Sequence, residues 1–322
     1  MKRLLIAAAG LGLILAIAIV AYQGFAEVSG AFAAVGYGLA VIVMVRAGEL
    51  AGAGLAWWIV FPRAAKTPLA VCIWVRFIRE AINTLLPVAQ VGGEIAGARA
   101  MALSGSPAGL AGATLLVDTL MQVVSLFLFV VVGVGILATY GADDALVGSM
   151  MAGISVMGVA LAGFFVAQRF GGAKLVDRAL MALADRTGWS ALANLATLHD
   201  NLVRIYADVP RFVIALLVHL AFWFFGALEV LVTLNLMGYP ASYVDAVVIE
   251  SLGQAVRAAG FLVPGALGVQ EAGFIAVCAV FGIPPAEAVA LSLVKRVPEI
   301  VLGVPFLLAW HRQEAKALLR SG

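Results

Sequence analysis

Residues 83–97, NTLLPVAQVGGEIAG, interrupt a chain that is otherwise rich in Ala, Val, Leu and Ile. The stretch brings together Pro87, the adjacent glycines Gly92 and Gly93, and the carboxylate of Glu94. Proline and glycine both disfavour a continuous helix, and a helix break leaves backbone N–H groups that need partners. The pattern therefore predicts two short helices joined by a break, with Glu94 in the first turn of the second helix.

The composition indicates an integral membrane protein. Of the 322 residues, 64% are hydrophobic and 12% are charged, whereas soluble domains carry about 25% charged residues. Cys72 and Cys278 lie in apolar stretches, and His199, His219 and His311 are scattered along the chain. The sequence contains no HExxH motif, no nucleotide-binding glycine-rich loop and no Cys/His cluster. We therefore expect no metal, no cofactor, no nucleic acid and no enzymatic activity.

Lysine and arginine are concentrated in alternate loops, which sets the expected orientation in the membrane. Apolar segments long enough to cross a bilayer run at about 4–21, 33–61, 108–139, 145–168, 211–237 and 286–309. Basic residues lie at both termini and in loops 62–68 and 169–210, whereas loops 24–32, 140–144 and 238–242 have none. Six spans with both termini cytoplasmic satisfy this distribution.

Two parts of this topology need separate comment. The segment at 4–21 could be a signal peptide, but its apolar run exceeds the usual core of about 7–15 residues, so we expect a retained first helix. Within the long cytoplasmic connection at 169–210, residues 173–186 have the pattern of an amphipathic helix lying on the membrane surface.

Two segments, 69–106 and 243–284, begin and end on the same side of the membrane in this topology. Each is interrupted in its middle by proline and glycine: Pro87, Gly92 and Gly93 in the first, and Pro264, Gly265 and Gly268 in the second. We expect two re-entrant hairpins, each built from two half-helices. Two complete spans apiece are the alternative.

A shift of 177 residues aligns the two hairpins without a gap. The aligned residues share the frame Pro-x6-Glu-x10-Gly-x-Pro, which places Pro87 and Glu94 on Pro264 and Glu271. The frame indicates an internal repeat, at about 69–139 and 243–309, within a single transmembrane domain covering 1–322. Because the hairpins enter from opposite faces, the repeat is inverted, as in secondary transporters whose substrate sites lie between the repeats.

Charged residues within the apolar segments are candidate site residues, because each costs at least about 2.5 kcal/mol to insert. Glu94 and Glu271 follow helix breaks, where a carboxylate either caps the helix or acts on a substrate. Asp118 and Lys295 occupy equivalent positions in the repeat, about 16 Å along their helices. We expect these two residues to form an ion pair.

Further polar residues recur at helical spacing and would line a central cavity. They are Arg76, Arg79, Glu80, Asn83, Thr114, Gln122, Ser125, Glu250, Gln254, Arg257, Arg296 and Glu299. Arg46 and Glu49 are expected to neutralise each other, while the roles of His219 and Glu229 stay open.

The stretch FIREAINTLLPVAQVGGEIAGARAMALSGSPAGLAGATLLVDTLMQ (77–122), together with FLVPGALGVQEAGF (261–274), resembles the flippase-like superfamily. This is the family of the lysylphosphatidylglycerol synthase transmembrane region. The residues that match its two patterns are Arg79, Asn83, Pro87, Gly93, Glu94 and Asp118, followed by Pro264, Gly265, Gly268 and Glu271. The resemblance covers essentially the whole chain and implies movement of a lipid between leaflets of the bacterial inner membrane.

The same resemblance limits the expected substrate. The soluble aminoacyltransferase of the two-domain synthases has no counterpart within these 322 residues, so synthesis of lysylphosphatidylglycerol is not expected. Stand-alone bacterial members, including those associated with hopanoid biosynthesis, are similar in length.

The leading hypothesis is therefore a lipid translocase without its own ATPase. Its substrate would be a lipid with a polar or glycosylated head group, either anionic or hydroxylated, and a hopanoid is one candidate. One alternative is a scaffold that presents lipid to biosynthetic enzymes. Another is a membrane-embedded lipid-modifying transferase, for which the sequence shows no catalytic pair.

Overall fold

The computed structural model describes residues 25–86, 92–140, 144–167, 198–260, 263 and 266–321. Every regular element in these ranges is helical, which confirms the all-α fold. The expected helix at 4–21 and the expected amphipathic segment at 173–186 lie outside the described residues, as do Pro87, Pro264 and Gly265.

Eleven α-helices occur in the described ranges, and a short 3-10 turn, Arg63–Ala65, follows the second of them. They are α1 (Phe25–Val35), α2 (Gly38–Val60), α3 (Leu69–Leu85), α4 (Gly92–Leu103), α5 (Ala108–Thr139), α6 (Asp144–Ala167), α7 (Leu198–Ala207), α8 (Val209–Leu236), α9 (Tyr243–Ala259), α10 (Val269–Val280) and α11 (Pro285–Ser321).

Three of the described helices are long and apolar enough to cross a membrane: α2, α5 and α8. Their most apolar windows have mean hydropathies of 1.7, 2.6 and 2.1, and they coincide with three of the expected spans. The expected spans at 145–168 and 286–309 overlap α6 and α11, and α11 carries Pro298 and Pro305 in its interior. The chain is thus a multi-pass membrane protein, and the arrangement of six spans stays a prediction.

The two interrupted segments consist of helices with matching lengths. α3 and α9 each have 17 residues, and α4 and α10 each have 12. A helix of 12 residues rises about 18 Å, which is less than the hydrocarbon core of about 30 Å. The starts of α4 and α10 are also 177 residues apart. These lengths favour half-helices, while the re-entrant course and the inverted relation stay predictions.

Small residues allow the central helices to approach closely. Gly52 of α2 faces the ring of Phe222 of α8, and Gly54 faces the backbone of Ile73 of α3. α3 packs in turn against α11, and α5 packs against both α8 and α9. The middle of the bundle is therefore enclosed by six helices: α2, α3, α5, α8, α9 and α11.

Apolar clusters pack against both ends of α5 and against one side of its middle. Near its start, Leu115 packs in a buried cluster with Trp57 and Met101. Near its end, Leu137 packs in a second buried cluster that includes Phe274. A third buried cluster, which includes Val117 and Met121, packs against the middle of α5, so the polar residues there, such as Asp118 and Gln122, lie beside apolar packing.

The start of α9 is fixed by a capping box between Ser242 and Asp245. The Ser242 hydroxyl accepts from the backbone N–H of Asp245 at 3.1 Å, and the Asp245 carboxylate accepts from the backbone N–H of Ser242 at 2.8 Å. The hydroxyl of Tyr140, at the end of α5, donates to Asp245 Oδ1 at 2.9 Å. This hydrogen bond to a carboxylate raises the pKa of Tyr140 above its usual value. The end of α5 and the start of α9 are thus connected by this hydrogen bond.

Candidate functional site

A cavity of about 290 Å³ lies in the bundle between α2, α3, α4, α5, α8 and α9. Its charged lining residues are Arg46, Glu49, Arg76, Glu80, Glu94 and Arg257. Its other polar lining residues are Asn83, Thr84, Thr119, Gln122, His219, Trp223 and Gln254. The remaining wall is apolar and is formed by Leu50, Ala53, Val123, Leu126, Phe222 and Ala258. The cavity can therefore contact both the polar and the apolar part of an amphipathic molecule.

Arg79 joins three helices behind one wall of this cavity. Its side chain is fully buried, and its two terminal nitrogens each lie 2.7 Å from a carboxylate, Asp118 of α5 and Glu94 of α4. The guanidinium carbon lies 4.9 Å from the ring centroid of Trp57 on α2. A planar fork of donors can bind two carboxylates and stack on an aromatic face at the same time. Arg79 thus holds the first hairpin against α5 and α2.

The first turn of α4 is capped by Asn83 of α3. Asn83 Oδ1 accepts from the backbone N–H of Gly93 at 2.8 Å, and Asn83 Nδ2 donates to Glu94 Oε1 at 3.4 Å. A side chain at Gly93 would meet the Asn83 side chain at 2.6 Å, so this approach requires glycine. Glu94 also accepts from the Thr119 hydroxyl at 3.1 Å. Its side chain is 23% exposed and lines the cavity.

Glu271, the residue equivalent to Glu94, caps its own helix. Its Oε2 accepts from the backbone N–H of Gly268 at 2.6 Å, at the start of α10. Its Oε1 accepts from Arg296 at 2.8 and 2.9 Å and from Ser292 at 3.3 Å. The side chain has no exposed surface. Gly268 has a φ of +75°, a conformation that favours glycine. The two equivalent carboxylates therefore differ: Glu271 is a buried cap, and Glu94 faces the cavity.

A second group of charged residues lies on α2 and α3 and lines the cavity. Arg46 bonds to Glu49 and to Glu80, each at 2.7 Å. Glu80 also pairs with Arg76 at 3.3 Å, and Arg76 donates to Gln122 Oε1 at 3.1 Å. The expected pairing of Arg46 with Glu49 is confirmed, and the structure extends it to α3 and α5.

All of these residues lie in the part of the chain that matches a known protein family. The model of the family described as the lysylphosphatidylglycerol synthase TM region matches residues 6–305. The chain belongs to this family. The resemblance drawn from the two interrupted segments is thereby confirmed. Comparison with curated proteins and with solved structures gives no match.

One expected contact is wrong in this member of the lysylphosphatidylglycerol synthase TM region family. Asp118 and Lys295 do not pair with each other, because each has closer partners. Asp118 binds Arg79 and lies 3.0 Å from Nε2 of His219. Lys295 Nζ lies 2.7 Å from Glu229 and 2.9 Å from Glu250. Asp118 thus contacts groups on α3 and α8, and Lys295 contacts groups on α8 and α9.

The structure divides the predicted site residues of this family member into two groups. Those that line the cavity are Asn83, Glu94, Gln122 and Arg257. Those behind its wall, in ion pairs or caps, are Arg79, Asp118, Glu271, Lys295, Arg296 and Glu299. Arg257 connects the two groups: it lines the cavity and pairs with Glu299 behind the wall. It also donates to Gln270 at 3.4 Å. Gly92, Gly93 and Gly268 lie at the starts of α4 and α10 as predicted.

Sequence reasoning missed part of the cavity wall. Thr119 and Trp223 were not singled out, and Trp223 donates to the Ser125 hydroxyl at 3.0 Å. His219 and Glu229, left open above, are the two groups that α8 contributes to the charge network. The signal in the sequence was the presence of two ionisable residues, ten positions apart, on an otherwise apolar helix. The described residues contain no cluster of three or more His, Cys, Asp or Glu suited to a metal ion.

Proposed function

We propose that the protein moves a lipid with a polar head group between the leaflets of a membrane. The observation that carries this proposal is the central cavity, in which charged, neutral polar and apolar side chains lie together near the midpoint of α5. A head group crossing a bilayer needs such polar partners, because the hydrocarbon core offers none. At about 290 Å³ the cavity is close to the lower limit of ligand pockets, about 300–1,000 Å³. It would hold a head group while the tails stay in lipid.

The charge of the lining favours one class of head group. Three arginines and three glutamates line the cavity, so the lining has no net charge: Arg46, Arg76, Arg257, Glu49, Glu80 and Glu94. Each of these arginines is already paired with at least one carboxylate. A neutral hydroxylated or a zwitterionic head group therefore fits better than an anionic one, and a hydroxylated hopanoid stays within this class.

The same pairing supports a transporter in preference to an enzyme. General acid–base catalysis needs a group whose proton is free to transfer to a reacting atom. In the cavity, Glu49, Glu80 and Glu94 each lie 2.7 Å from an arginine nitrogen, so each is already engaged in an ion pair. We propose further that the protein resides in a bacterial inner membrane with both termini cytoplasmic, as the loop charges indicate.

The proposal is tested by reconstituting the purified protein in vesicles that contain a fluorescent lipid whose leaflet can be measured. We expect faster exchange of the lipid between leaflets than in protein-free vesicles. Leu126→Trp, which fills the cavity from α5, should abolish the acceleration. Leu128→Trp is the matched control, because Leu128 is on the same helix and is exposed.

The control distinguishes a filled cavity from a damaged fold. If both tryptophan variants behave alike, the cavity is not the route of the lipid. If the folded wild-type protein accelerates none of the anionic, zwitterionic and hydroxylated reporter lipids, translocation is refuted and a scaffold for lipid-biosynthesis enzymes becomes the better reading.

A further inference from the structure

Two buried cations in the bundle each have two carboxylate partners. Arg79 binds Asp118 and Glu94, and Lys295 binds Glu229 and Glu250. With all four carboxylates ionised, each group would carry one surplus negative charge. Such a charge is costly inside a membrane protein, so something must compensate it.

In the first group, two features stabilise the surplus negative charge. His219 Nε2 lies 3.0 Å from Asp118 Oδ1, within hydrogen-bond distance of the carboxylate. The side chain of Glu94 is 23% exposed towards the cavity, where water can solvate it.

The second group has neither of these stabilising features. It consists of Lys295, Glu229 and Glu250, and we call it the lysine triad. The exposed fractions of its side chains are 5%, 2% and 2%. One oxygen of Glu229, Oε1, is buried and accepts no hydrogen bond from any residue that the structure describes. An ionised carboxylate oxygen is unfavourable in such a place, and a bound proton removes the charge.

Neighbouring charges do not compensate the triad, because each is balanced by its own partner. From α2, Arg46 binds Glu49 and Glu80, and Glu80 also binds Arg76. From α11, Arg296 binds Glu271. The remaining nearby groups on α9 and α11 pair with each other, Arg257 with Glu299. From α5, Asp118 is held by Arg79.

We propose that the lysine triad is a proton-binding site, in which Glu229 and Glu250 share one proton beside the Lys295 ammonium. Two carboxyl groups that share a site cannot both ionise easily, and the proton then belongs to the pair. Glu271 does not suit this role, because it accepts from a backbone N–H, from Arg296 and from Ser292. Binding of the proton depends on this geometry alone; its use in transport rests on the proposed function.

Gln254 connects the triad to the cavity. Its side-chain N–H donates to Glu250 Oε1 at 2.8 Å, and Gln254 lines the cavity. A head group that binds Gln254 would remove this donor from Glu250 and so favour the protonated carboxyl. Lipid binding and proton binding would then support each other, and lipid and proton would move in the same direction.

The proton is tested directly by infrared spectroscopy of the purified protein at neutral pH. We expect the carbonyl stretching band of a protonated carboxylic acid in the wild type, and its loss in both Glu229→Gln and Glu250→Gln. In either variant one carboxylate faces one ammonium, so no surplus charge remains. Glu314→Gln is the control, because Glu314 pairs with Arg99, outside the triad. A band of unchanged intensity in the two triad variants would overturn the proposal.

The link to transport is tested in vesicles with an imposed pH gradient. In the wild type we expect the gradient to change lipid redistribution at least severalfold, and in Glu229→Gln and Glu250→Gln we expect no response. Gln254→Leu should keep the infrared band and lose the response, which guards against variants that fail to fold. Glu314→Gln should respond like the wild type.

The two readouts separate the two proposals. If the wild type moves no lipid under any gradient, the proposed function fails, and the infrared result still decides whether the triad holds a proton. If the wild type moves lipid and ignores the gradient, or if Gln254→Leu responds fully, coupling through the triad is refuted.

Discussion

At the scale of single residues, two glutamates at equivalent positions have different environments, and their substitutions should differ accordingly. Glu271 is fully buried and binds Arg296, so Glu271→Gln replaces a charged partner of this guanidinium with a neutral amide. Loss of one member of a buried ion pair costs about 3–5 kcal/mol. Glu94 is partly exposed, and Arg79 keeps Asp118 when Glu94 is neutral, so Glu94→Gln should cost about 1 kcal/mol.

Thermal unfolding in detergent measures the stability of both variants, and the vesicle assay measures their rate of lipid exchange. We expect Glu271→Gln to lower the unfolding temperature strongly, and Glu94→Gln to slow lipid exchange while the protein stays stable. Equal losses of stability in the two variants would show that both glutamates are structural.

Arg79 should not tolerate replacement by lysine. Its guanidinium binds two carboxylates and stacks on Trp57, and a single ammonium cannot make all these contacts. We expect Arg79→Lys to lower the free energy of unfolding by about 2–3 kcal/mol. Arg99→Lys is the control: Arg99 is 35% exposed and pairs with Glu314, and an exposed pair contributes about 0–1 kcal/mol. Similar unfolding temperatures for the two variants would contradict this reading.

At the scale of helices, the contact of α2 with α3 depends on Gly54. A Cβ at this position would lie 2.7 Å from Cα of Ile73, a backbone atom that cannot rotate away. Gly54→Ala should therefore destabilise the protein by about 1–3 kcal/mol, as overpacking does. Gly135 of α5 has no atom within 4 Å of such a Cβ. Gly135→Ala should leave stability unchanged or raise it by about 0.4–1 kcal/mol. Thermal unfolding of both variants checks the difference, and a loss in Gly135→Ala as large as in Gly54→Ala would argue against a specific contact.

Helix breaks were predictable from sequence, whereas the partners of the buried charges were not. The glycines at 92 and 93 predicted the start of α4, and Gly268 predicted the start of α10. Proline and glycine act on the local backbone, so their effect is visible in a short stretch. α2 and α8 each carry only a few polar residues on an otherwise apolar helix, so periodicity gives little indication of which face meets the bundle. The pairing of Lys295 with Glu229 therefore needed the assembled fold.

At the scale of the whole molecule, the cavity exists because six helices from both halves of the chain meet. Its lining residues run from Arg46 on α2 to Ala258 on α9, and each helix contributes only a few of them. The sequence predicted a polar cavity and many of its residues, but its size and its net charge depend on which side chains point inward. These two quantities determine what the cavity can bind.

The neutral lining should make transport selective by head-group charge. The lining has three arginines and three glutamates, and the groups behind it add no surplus positive charge. An anionic head group would bring an uncompensated charge into the membrane, at a cost of at least about 2.5 kcal/mol. Since about 1.4 kcal/mol corresponds to a tenfold change in rate, we expect neutral hydroxylated and zwitterionic lipids to exchange more than about tenfold faster. Reporter lipids with identical tails and the three kinds of head group measure this ratio.

Changing the charge of the lining should change this selectivity in a defined direction. Glu80→Gln removes one negative charge from the lining, while Arg46 keeps Glu49 and Arg76 keeps Gln122 as partners. The variant therefore has a net positive lining without a completely unpaired arginine, and it should accelerate exchange of the anionic reporter relative to the zwitterionic one. Glu314→Gln, which changes the same chemistry away from the cavity, should keep the wild-type ratio. A wild-type preference for the anionic lipid, or an unchanged ratio in Glu80→Gln, would mean that the cavity does not select the head group by charge.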